Sequence, residues 1–352
     1  MRRGLVRAVA GIGLAALLTT CGGGTATTTS ATHSSSTTTS TLPATTTTTR
    51  PSFTPIDTLG VGLRSDVYVD TTRPTPANGG APGSPTRSMP TSVWYPATGV
   101  APGTTSQNAA PDTAHGPYPL VVFAHGFAVI PITYAALLAR WASAGYVVVA
   151  PEIPLLNGNA PGGASHIDYG APNIADLDFV LGDALRRAAT PGDPLAGLID
   201  PTKVAVAGHS DGEVLAYALA FEACCHDSRV KAVIPMAGNL ANAEAPPTPT
   251  GVPVLHILDD HDQYDSYSAS IAWDRQNLLS PRELLTLVSG VHLPPFSQPS
   301  DPHFDLVARA TVDFLDATVK GRADGLSALQ TLVSGSPNLA TLEGTPATTP
   351  TS

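Results

Sequence analysis

The chain has 352 residues, and 18 Lys and Arg against 28 Asp and Glu give it a formal charge of −10. With 42% apolar and 13% charged residues it can bury a large core, which excludes a wholly disordered chain. The acidic balance argues against a nucleic-acid binder, and three cysteines are too few for a disulfide-dense scaffold.

The N-terminus has the pattern of an export signal. Three arginines come first: Arg2, Arg3 and Arg7. The apolar run from Ala8 to Leu18 is too short to span a bilayer comfortably. It leads through Thr20 to Cys21 in a sequence that resembles a bacterial lipobox, although Gly, Ala or Ser is usual in place of Thr20. We predict that residues 1–21 are the export signal and that Cys21 is lipidated; the alternative is an ordinary cleaved signal with an incidental cysteine.

The remaining chain divides into three parts. Residues 22–55 are mainly Thr, Ser, Ala and Gly, which cannot bury enough apolar surface to order themselves, so they are predicted to form a flexible stalk. Residues 56–320 are predicted to form one domain. Residues 321–352 combine a weakly amphipathic helical stretch with a Thr- and Pro-rich tail that we expect to be frayed.

The domain alternates strand and helix patterns. Two strands, Gly62–Val69 and Ser92–Tyr95, flank a Pro- and Gly-rich loop at residues 73–90, as is typical of an antiparallel sheet edge. Six short apolar runs follow: Pro119–Ala124, Tyr146–Ala150, Lys203–Ala207, Val230–Ile234, Pro253–Leu258 and Leu284–Val288. Five segments have helical spacing: Tyr134–Ala144, Ala175–Ala188, Gly212–Ala223, Ser266–Leu278 and Asp305–Val319. This alternation predicts an α/β fold with a mostly parallel sheet, whose reactive groups follow the strands.

A candidate nucleophile follows the third of these apolar runs. Residues Gly208–Gly212 read G-x-S-x-G, with a strand before them and a helix after them. A sharp turn from strand to helix exposes the central Ser210, and Gly208 and Gly212 leave room because a Cβ there would collide with neighbouring backbone. The pattern predicts a nucleophile; the alternative is a serine that caps the helix.

A serine nucleophile needs a general base. In folds where a G-x-S-x-G serine lies between a strand and a helix, a carboxylate follows the serine along the chain, and a histidine follows the carboxylate. His292 directly follows the last apolar run, so it is the first candidate, and His303, near the start of the last helix, is the second. His256 lies inside an apolar run, which favours a hydrogen-bonded core residue.

Four carboxylates follow the run Pro253–Leu258, and one of them is predicted to orient the histidine. A turn of the form G-x-x-D would place the acid at Asp262, but Asp259 occupies the glycine position, so Asp260 and Asp265 stay open as alternatives. The cluster lacks the alternating ligands and the glycine of a calcium loop. Motifs for zinc or nucleotide binding are also missing, and no metal or cofactor is predicted.

The loop after Pro119–Ala124 is the candidate oxyanion site. An oxyanion needs two backbone N–H donors, one from the residue after the nucleophile, here Asp211. The other is predicted to come from Phe127 in His125-Gly126-Phe127, with a plain glycine turn as the alternative. His125 is interpreted as structural.

Three further features stay open. Cys224 and Cys225 can form a vicinal disulfide or serve as buried small apolar residues. The loop Leu155–Pro172 can line the substrate cleft or be a plain surface loop. Glu213 follows the elbow directly and can perturb the start of its helix.

Taken together, these segments resemble the α/β-hydrolase serine esterases. The pattern is similar to platelet-activating-factor-acetylhydrolase-like, chlorophyllase-like and dienelactone-hydrolase-like proteins of bacteria, and to secreted lipases and cutinase-type polyester hydrolases. The resemblance covers about residues 56–320. It implies a triad and two backbone donors: Ser210, Asp262 and His292, with Phe127 and Asp211. Glu213 departs from the second glycine common in relatives, and dienelactone hydrolases proper use cysteine, so Ser210 favours the esterases.

The resemblance implies an exported serine hydrolase that cleaves a carboxylic ester of a lipid, a polymer or a small molecule through an acyl-enzyme. We expect a monomer that binds no nucleic acid. It is expected to be a cell-envelope lipoprotein, attached to the outer face of the membrane through an N-terminal lipid anchor, or to be secreted. The alternatives are a catalytically silent wall-tethered binding protein of the same fold, and an amidase or acyltransferase that uses the same triad.

Overall fold

The structure, a computed structural model, describes residues 58–243, 247–279 and 281–345. The predicted export signal with Cys21, the predicted stalk and residues 346–352 of the predicted tail lie outside the described residues. Within these ranges, no helix is long and apolar enough to cross a membrane.

One mixed sheet of ten strands forms the centre of the described part of the chain. The strands are β1 (Gly60–Asp70), β2 (Arg87–Ala97), β3 (Thr105–Gln107), β4 (Tyr118–Ala124), β5 (Val147–Pro151), β6 (Ile199–His209), β7 (Val230–Met236), β8 (Val254–Asp259), β9 (Arg282–Leu287) and β10 (Ala340–Thr345). Their order across the sheet is β10-β9-β8-β7-β6-β4-β5-β2-β1-β3. Neighbours from β9 to β5 are parallel. Antiparallel pairs join β5 to β2, β2 to β1 and β9 to β10.

Helices cover both faces of this sheet, which explains why β4 and β5 are buried along their whole length. The helices are α1 (Ala135–Ser143), α2 (Ala171–Ala188), α3 (Asp211–Phe221), α4 (Tyr267–Asn277), α5 (Pro294–Ser297), α6 (Phe304–Thr318) and α7 (Gly325–Ser334). One core contains the apolar sides of α2 and α3, with Leu177 and Leu215. The other contains α1, α6 and α7, with Trp141 and Phe314. Because neighbouring strands from β9 to β4 run parallel, the carboxyl ends of β4, β6, β8 and β9 lie at the same edge of the sheet.

The predicted fold class is confirmed, and each predicted strand and helix overlaps an observed one. The expectation of a frayed tail is wrong for residues 340–345, because β10 extends the sheet through backbone hydrogen bonds to β9. The ordered fold therefore continues past residue 320, where the predicted domain ends. The strand β3 and the short helix α5 were not predicted. Cys224 and Cys225 form a disulfide, one of the two states that the sequence left open.

Candidate active site

Ser210 lies at the sharp turn between β6 and α3. Its backbone has φ 56° and ψ −126°, a left-handed conformation that side chains rarely adopt. A Cβ added to Gly208 would lie 2.0 Å from the carbonyl oxygen of Gly212. A Cβ added to Gly212 would lie 2.3 Å from the carbonyl oxygen of Ala124. Both glycines are therefore required by close backbone packing, as the sequence pattern predicts.

A chain of hydrogen bonds links Ser210 to a histidine and a carboxylate. His292 Nε2 lies 3.0 Å from Ser210 Oγ, and His292 Nδ1 lies 2.7 Å from Asp262 Oδ2. Burial raises the pKa of Asp262, but hydrogen bonds from His292 and from the Tyr264 and Asp265 N–H groups outweigh burial and lower it. The carboxylate is therefore held charged opposite the imidazole. This is the geometry that activation of a serine by a histidine requires.

The alternative residues have other partners. Asp260 accepts hydrogen bonds from the Ser289 N–H and from His261, at 2.6 Å each. His303 donates from Nε2 to the Val288 carbonyl at 2.9 Å and has its other ring nitrogen 3.0 Å from Asp301. Hydrogen bonds thus join Asp262 and His292 to Ser210, and within the described residues none joins the side chain of Asp260, Asp265 or His303 to the His292 ring or to Ser210.

Asp262, Asp265 and His292 also bring potential metal-ligand atoms within 4.8 Å of one another. Both ring nitrogens of His292 are already engaged, one by Ser210 and one by Asp262. Two members of the grouping, Asp262 and His292, therefore belong to the hydrogen-bonded chain of Ser210.

The loop after β4 lies against the elbow. A Cβ added to Gly126 would be 3.0 Å from Ser210 Cβ, so the backbone of Gly126 lies against the nucleophile. The N–H of Phe127, the next residue, is therefore close to Ser210. Within the described part of the chain, neither the Phe127 N–H nor the Asp211 N–H donates to a protein acceptor. Two such donors beside a serine suit an oxyanion site.

His125 supports this loop from below, as the sequence predicts. Its Nε2 accepts the Ile153 N–H at 3.0 Å, and its Nδ1–H donates to the Gly126 carbonyl at 2.7 Å. Burial lowers the pKa of His125 to about 4, so the ring is neutral near neutral pH.

A second hydrogen-bonded chain, which sequence reasoning missed, joins the loops of the site. The Gly126 N–H donates to the Tyr134 hydroxyl, which donates to His209 Nδ1 at 2.9 Å. His209 Nε2–H donates to the His292 carbonyl at 2.6 Å. Burial, followed by the charge of His292, lowers the pKa of His209 to about 3, which keeps the neutral tautomer this chain needs. His209 occupies a variable position of G-x-S-x-G, so spacing alone gives no signal for it.

Glu213 and His256 form a buried ionic cluster with Asp274. His256 Nε2 lies 3.2 Å from Glu213 Oε2, and Nδ1 lies 2.8 Å from Asp274 Oδ2, with all three side chains fully buried. Burial alone would lower the pKa of His256, but the charges of Asp274 and Glu213 raise it to about 10. His256 is therefore a buried core residue, as predicted, with one hydrogen-bond contact to Glu213 and an ion-pair contact to Asp274, although within the described residues its Nδ1 lacks a well-aligned hydrogen bond. Its partner Glu213 connects the nucleophile helix α3 to β8.

The mouth of the site carries exposed aromatic rings. Phe127 is 39% exposed and Tyr264 is 74% exposed, and the Tyr264 ring packs edge-on to His292 at 4.8 Å between centroids. His166 stacks on Phe127 with 4.1 Å between centroids. The loop that carries His166 therefore lines the cleft, which is one of the two interpretations that the sequence left open.

The chain is similar to a protein-family model and to solved structures. The chlorophyllase family model matches residues 100–253, which include Ser210 and the loop of Phe127. The chain also matches 1111 chains of solved structures. One is a ferulic acid esterase from Streptomyces cinnamoneus, with 23% sequence identity, a TM-score of 0.59, and coverage of 76% of this chain and 93% of that chain. A comparison with curated proteins finds no match. These similarities confirm the predicted α/β-hydrolase fold and support the predicted resemblance to its esterases.

Proposed function

We propose that the protein is a serine hydrolase that cleaves a carboxylic ester through an acyl-enzyme. The observation that carries this proposal is the chain from Ser210 through His292 to Asp262, with contacts of 3.0 and 2.7 Å. The names of the matching family and structure, chlorophyllase and ferulic acid esterase, support an ester as the substrate.

In the proposed reaction each group has one role. Ser210 Oγ attacks the carbonyl carbon of the ester while His292 Nε2 accepts its proton. The carbonyl oxygen becomes an oxyanion, which the Phe127 and Asp211 N–H groups bind. The intermediate then collapses, and His292 returns the proton to the departing alcohol. A water molecule, activated by the same imidazole, attacks the acyl-enzyme and releases the acid. Asp262 holds the imidazole in the tautomer with a proton on Nδ1 and stabilises its charged form.

Hydrolysis of p-nitrophenyl acetate tests this proposal. We expect the wild-type protein to release p-nitrophenol and to be labelled at Ser210 by a fluorophosphonate probe, and Ser210→Ala to lose both. Ser268→Ala, an exposed serine of α4, is the matched control and should retain both. Activity that survives in Ser210→Ala, or a wild-type protein that neither hydrolyses nor reacts, would contradict the proposal. The second result would favour a silent binding protein.

The substrate class follows from a further measurement. A series of p-nitrophenyl esters from acetate to palmitate separates a lipase-like preference from a small-molecule one. Matched ester and amide versions of one substrate, with and without an acceptor alcohol, separate hydrolysis of esters from amidase or transferase activity. We expect the ester to be hydrolysed faster than the amide.

We also propose export with a lipid anchor at Cys21. The support is the sequence alone, namely the arginines before the apolar run and the lipobox-like residues that end it. Expression in a bacterial host with a clickable fatty acid tests this. We expect the wild type to carry the label in the membrane fraction and Cys21→Ala to lose it. Equal labelling of both proteins would contradict lipidation at Cys21.

A further inference from the structure

His166 contacts both residues that are proposed to hold the oxyanion. Its Nε2 lies 2.5 Å from Asp211 Oδ2, and its ring stacks on Phe127 at an interplanar angle of 16°. Tyr169, three residues later, donates its hydroxyl to the Asp211 carbonyl at 3.0 Å and packs edge-on against His166. One short segment therefore reaches both sides of the oxyanion site.

The segment that carries His166 is fixed at both ends. The amide of Asn78 donates to the carbonyls of Pro161 and Gly163, at 2.9 and 2.6 Å. Two residues after His166, Asp168 forms an ion pair with the buried guanidinium of Arg87. These anchors place His166 against the site from a part of the chain distant from both β4 and α3.

The Asp211 side chain poses an electrostatic problem for the proposed reaction. Its backbone N–H is to bind a developing negative charge, while its own carboxylate is negative and sits in the first turn of α3. That carboxylate competes with the oxyanion for the positive end of the helix. Two more carboxyl groups, those of Asp262 and Asp265, lie near Asp211. Burial raises the pKa of Asp265, and the negative charges of Asp262 and Asp211 raise it further. An unengaged Asp211 carboxylate would thus disfavour the oxyanion.

We propose that His166 is a positioning residue that binds the Asp211 carboxylate and holds the Phe127 ring, so that both backbone donors serve the oxyanion. The Nε2–H of His166 donates to Asp211 Oδ2, and this charge-assisted hydrogen bond takes up part of the carboxylate's charge. Within the described residues no hydrogen bond joins His166 to Ser210, so His166 is proposed to act through Asp211 and Phe127. The inference rests on the proposed hydrolase function and assigns a residue outside the triad and its donors.

A double-mutant cycle between His166 and Asp211 tests this inference with p-nitrophenyl acetate. We expect His166→Ala to lower kcat about tenfold with little change in KM, the effect of one partly screened charge near the reacting atoms. Asp211→Asn removes the charge and keeps the backbone donor, so its kcat is the reference against which the loss of His166 is measured without the carboxylate's charge. The double variant should recover to within about threefold of Asp211→Asn. His166→Phe keeps a ring over Phe127 without the hydrogen bond, and should fall between wild type and His166→Ala.

His115→Ala is the matched control, because His115 also pairs with an aspartate, at 2.8 Å from Asp112 Oδ2, but on the loop between β3 and β4. It should leave kcat unchanged. Wild-type kcat in His166→Ala would overturn the inference, and so would failure of Asp211→Asn to rescue it, since a merely structural loss is not rescued by removing a charge. Loss of hydrolysis in the wild type would instead overturn the proposed function and this inference with it.

Discussion

Asp262 combines three hydrogen bonds on one carboxylate, from the His292 ring and from two backbone N–H groups. The backbone donors belong to the turn that follows β8, so the turn fixes the carboxylate before it meets the imidazole. An orienting acid of this kind selects the histidine tautomer that can accept the serine proton. The role of Asp262 is therefore testable apart from its neighbours.

Asp262→Asn should lower kcat by about 10³- to 10⁴-fold with a modest change in KM, because the amide favours the wrong tautomer of His292. Asp260→Asn, which alters a carboxylate of the same turn that contacts Ser289, is the matched control and should stay within about threefold of wild type. Rates of p-nitrophenyl acetate hydrolysis measure both. An equal loss in the two variants would show that the turn, and not the tautomer, limits the rate.

The buried carboxylate of Glu213 is expected to stabilise the fold through its contact with His256. Glu213→Ala leaves a buried imidazolium with one carboxylate in place of two, and a missing partner in a buried ionic cluster typically costs about 3–5 kcal/mol. We expect a loss of that size in the free energy of unfolding, measured by urea denaturation. Glu283→Ala is the control, because burial raises the pKa of Glu283 and no ion pair joins it to another described residue; this variant should lose less. A loss below about 1 kcal/mol in Glu213→Ala would contradict the cluster's role.

Single residues show both the reach and the limit of sequence reasoning. Ser210 and His292 follow strands of the predicted sheet, and the common edge of parallel strands brings them together. The turn holding Asp262 departs from the usual glycine, so the sequence narrowed the acid to three residues and only geometry separates them. His166 and His209 act through contacts between distant loops, which no local spacing encodes.

At the scale of elements, the elbow depends on the close approach of β6 and α3. Gly212→Ala would place a Cβ 2.3 Å from the Ala124 carbonyl oxygen, so strand and helix must separate. We expect a loss of about 3 kcal/mol in unfolding free energy and at least 100-fold in kcat. Gly182→Ala is the matched control, because among the described residues outside its own helix backbone the nearest atom to the Cβ added to this glycine of α2 is Arg229 Nη1, at an ordinary contact distance of 3.6 Å. It should stabilise by about 0.5–1 kcal/mol, and an equal effect of both changes would refute the packing explanation.

The strand β10 makes a different prediction, because it covers the edge of β9 with backbone hydrogen bonds. Deletion of residues 335–352 exposes that edge, and an unpaired strand invites pairing with other chains. We expect oligomers or aggregates by size-exclusion chromatography with light scattering. Deletion of residues 346–352 alone keeps β10 and should leave the protein as the full chain is. A monodisperse 335–352 deletion with unchanged unfolding would show that β10 adds little.

Strands and helices were predicted where side chains carry a period or a continuous apolar run, as in β4 and β5. β10 reads Ala-Thr-Leu-Glu-Gly-Thr, with one large apolar residue, Leu342, packed against the core. Its pairing rests on backbone groups, which leave no side-chain pattern. β3 has three exposed residues and α5 a single turn, so neither is long enough to show a period.

At the scale of the whole molecule, burial affects how many of the carboxyl groups are ionised in the folded protein. Burial raises the pKa of several carboxyls in the described part of the chain, among them Asp176, Asp259 and Asp313. The formal charge of −10 counts these groups as ionised. With its pKa raised to about 9, Asp259 stays protonated near neutral pH, so it does not contribute the negative charge that this count assigns to it, and the stability of the protein should fall as the pH rises toward 9.

Asp259 gives this expectation its sharpest form. It is 2% exposed, and within the described residues neither carboxylate oxygen has a hydrogen-bond partner. Burial, followed by the charges of Asp262, Asp301 and Asp260, raises its pKa from 3.8 to about 9. A pKa raised on folding means that the native state binds the proton more tightly. The contribution to stability is thus fully present below about pH 4 and is lost as the pH approaches 9.

Asp259→Asn keeps the shape of the neutral acid and cannot ionise, so the variant should gain stability relative to wild type as the pH rises from 5 to 9. Urea unfolding at pH 5, 7 and 9 measures this difference. Asp200→Asn is the control, because hydrogen bonds from Thr202 outweigh burial and lower the pKa of Asp200, so its contribution stays constant over that range. A difference between wild type and Asp259→Asn that does not change with pH would mean that Asp259 is already ionised in the native protein. In that case the acidic turn beneath His292 would carry one more negative charge than it does with Asp259 protonated, despite the burial of that carboxyl group.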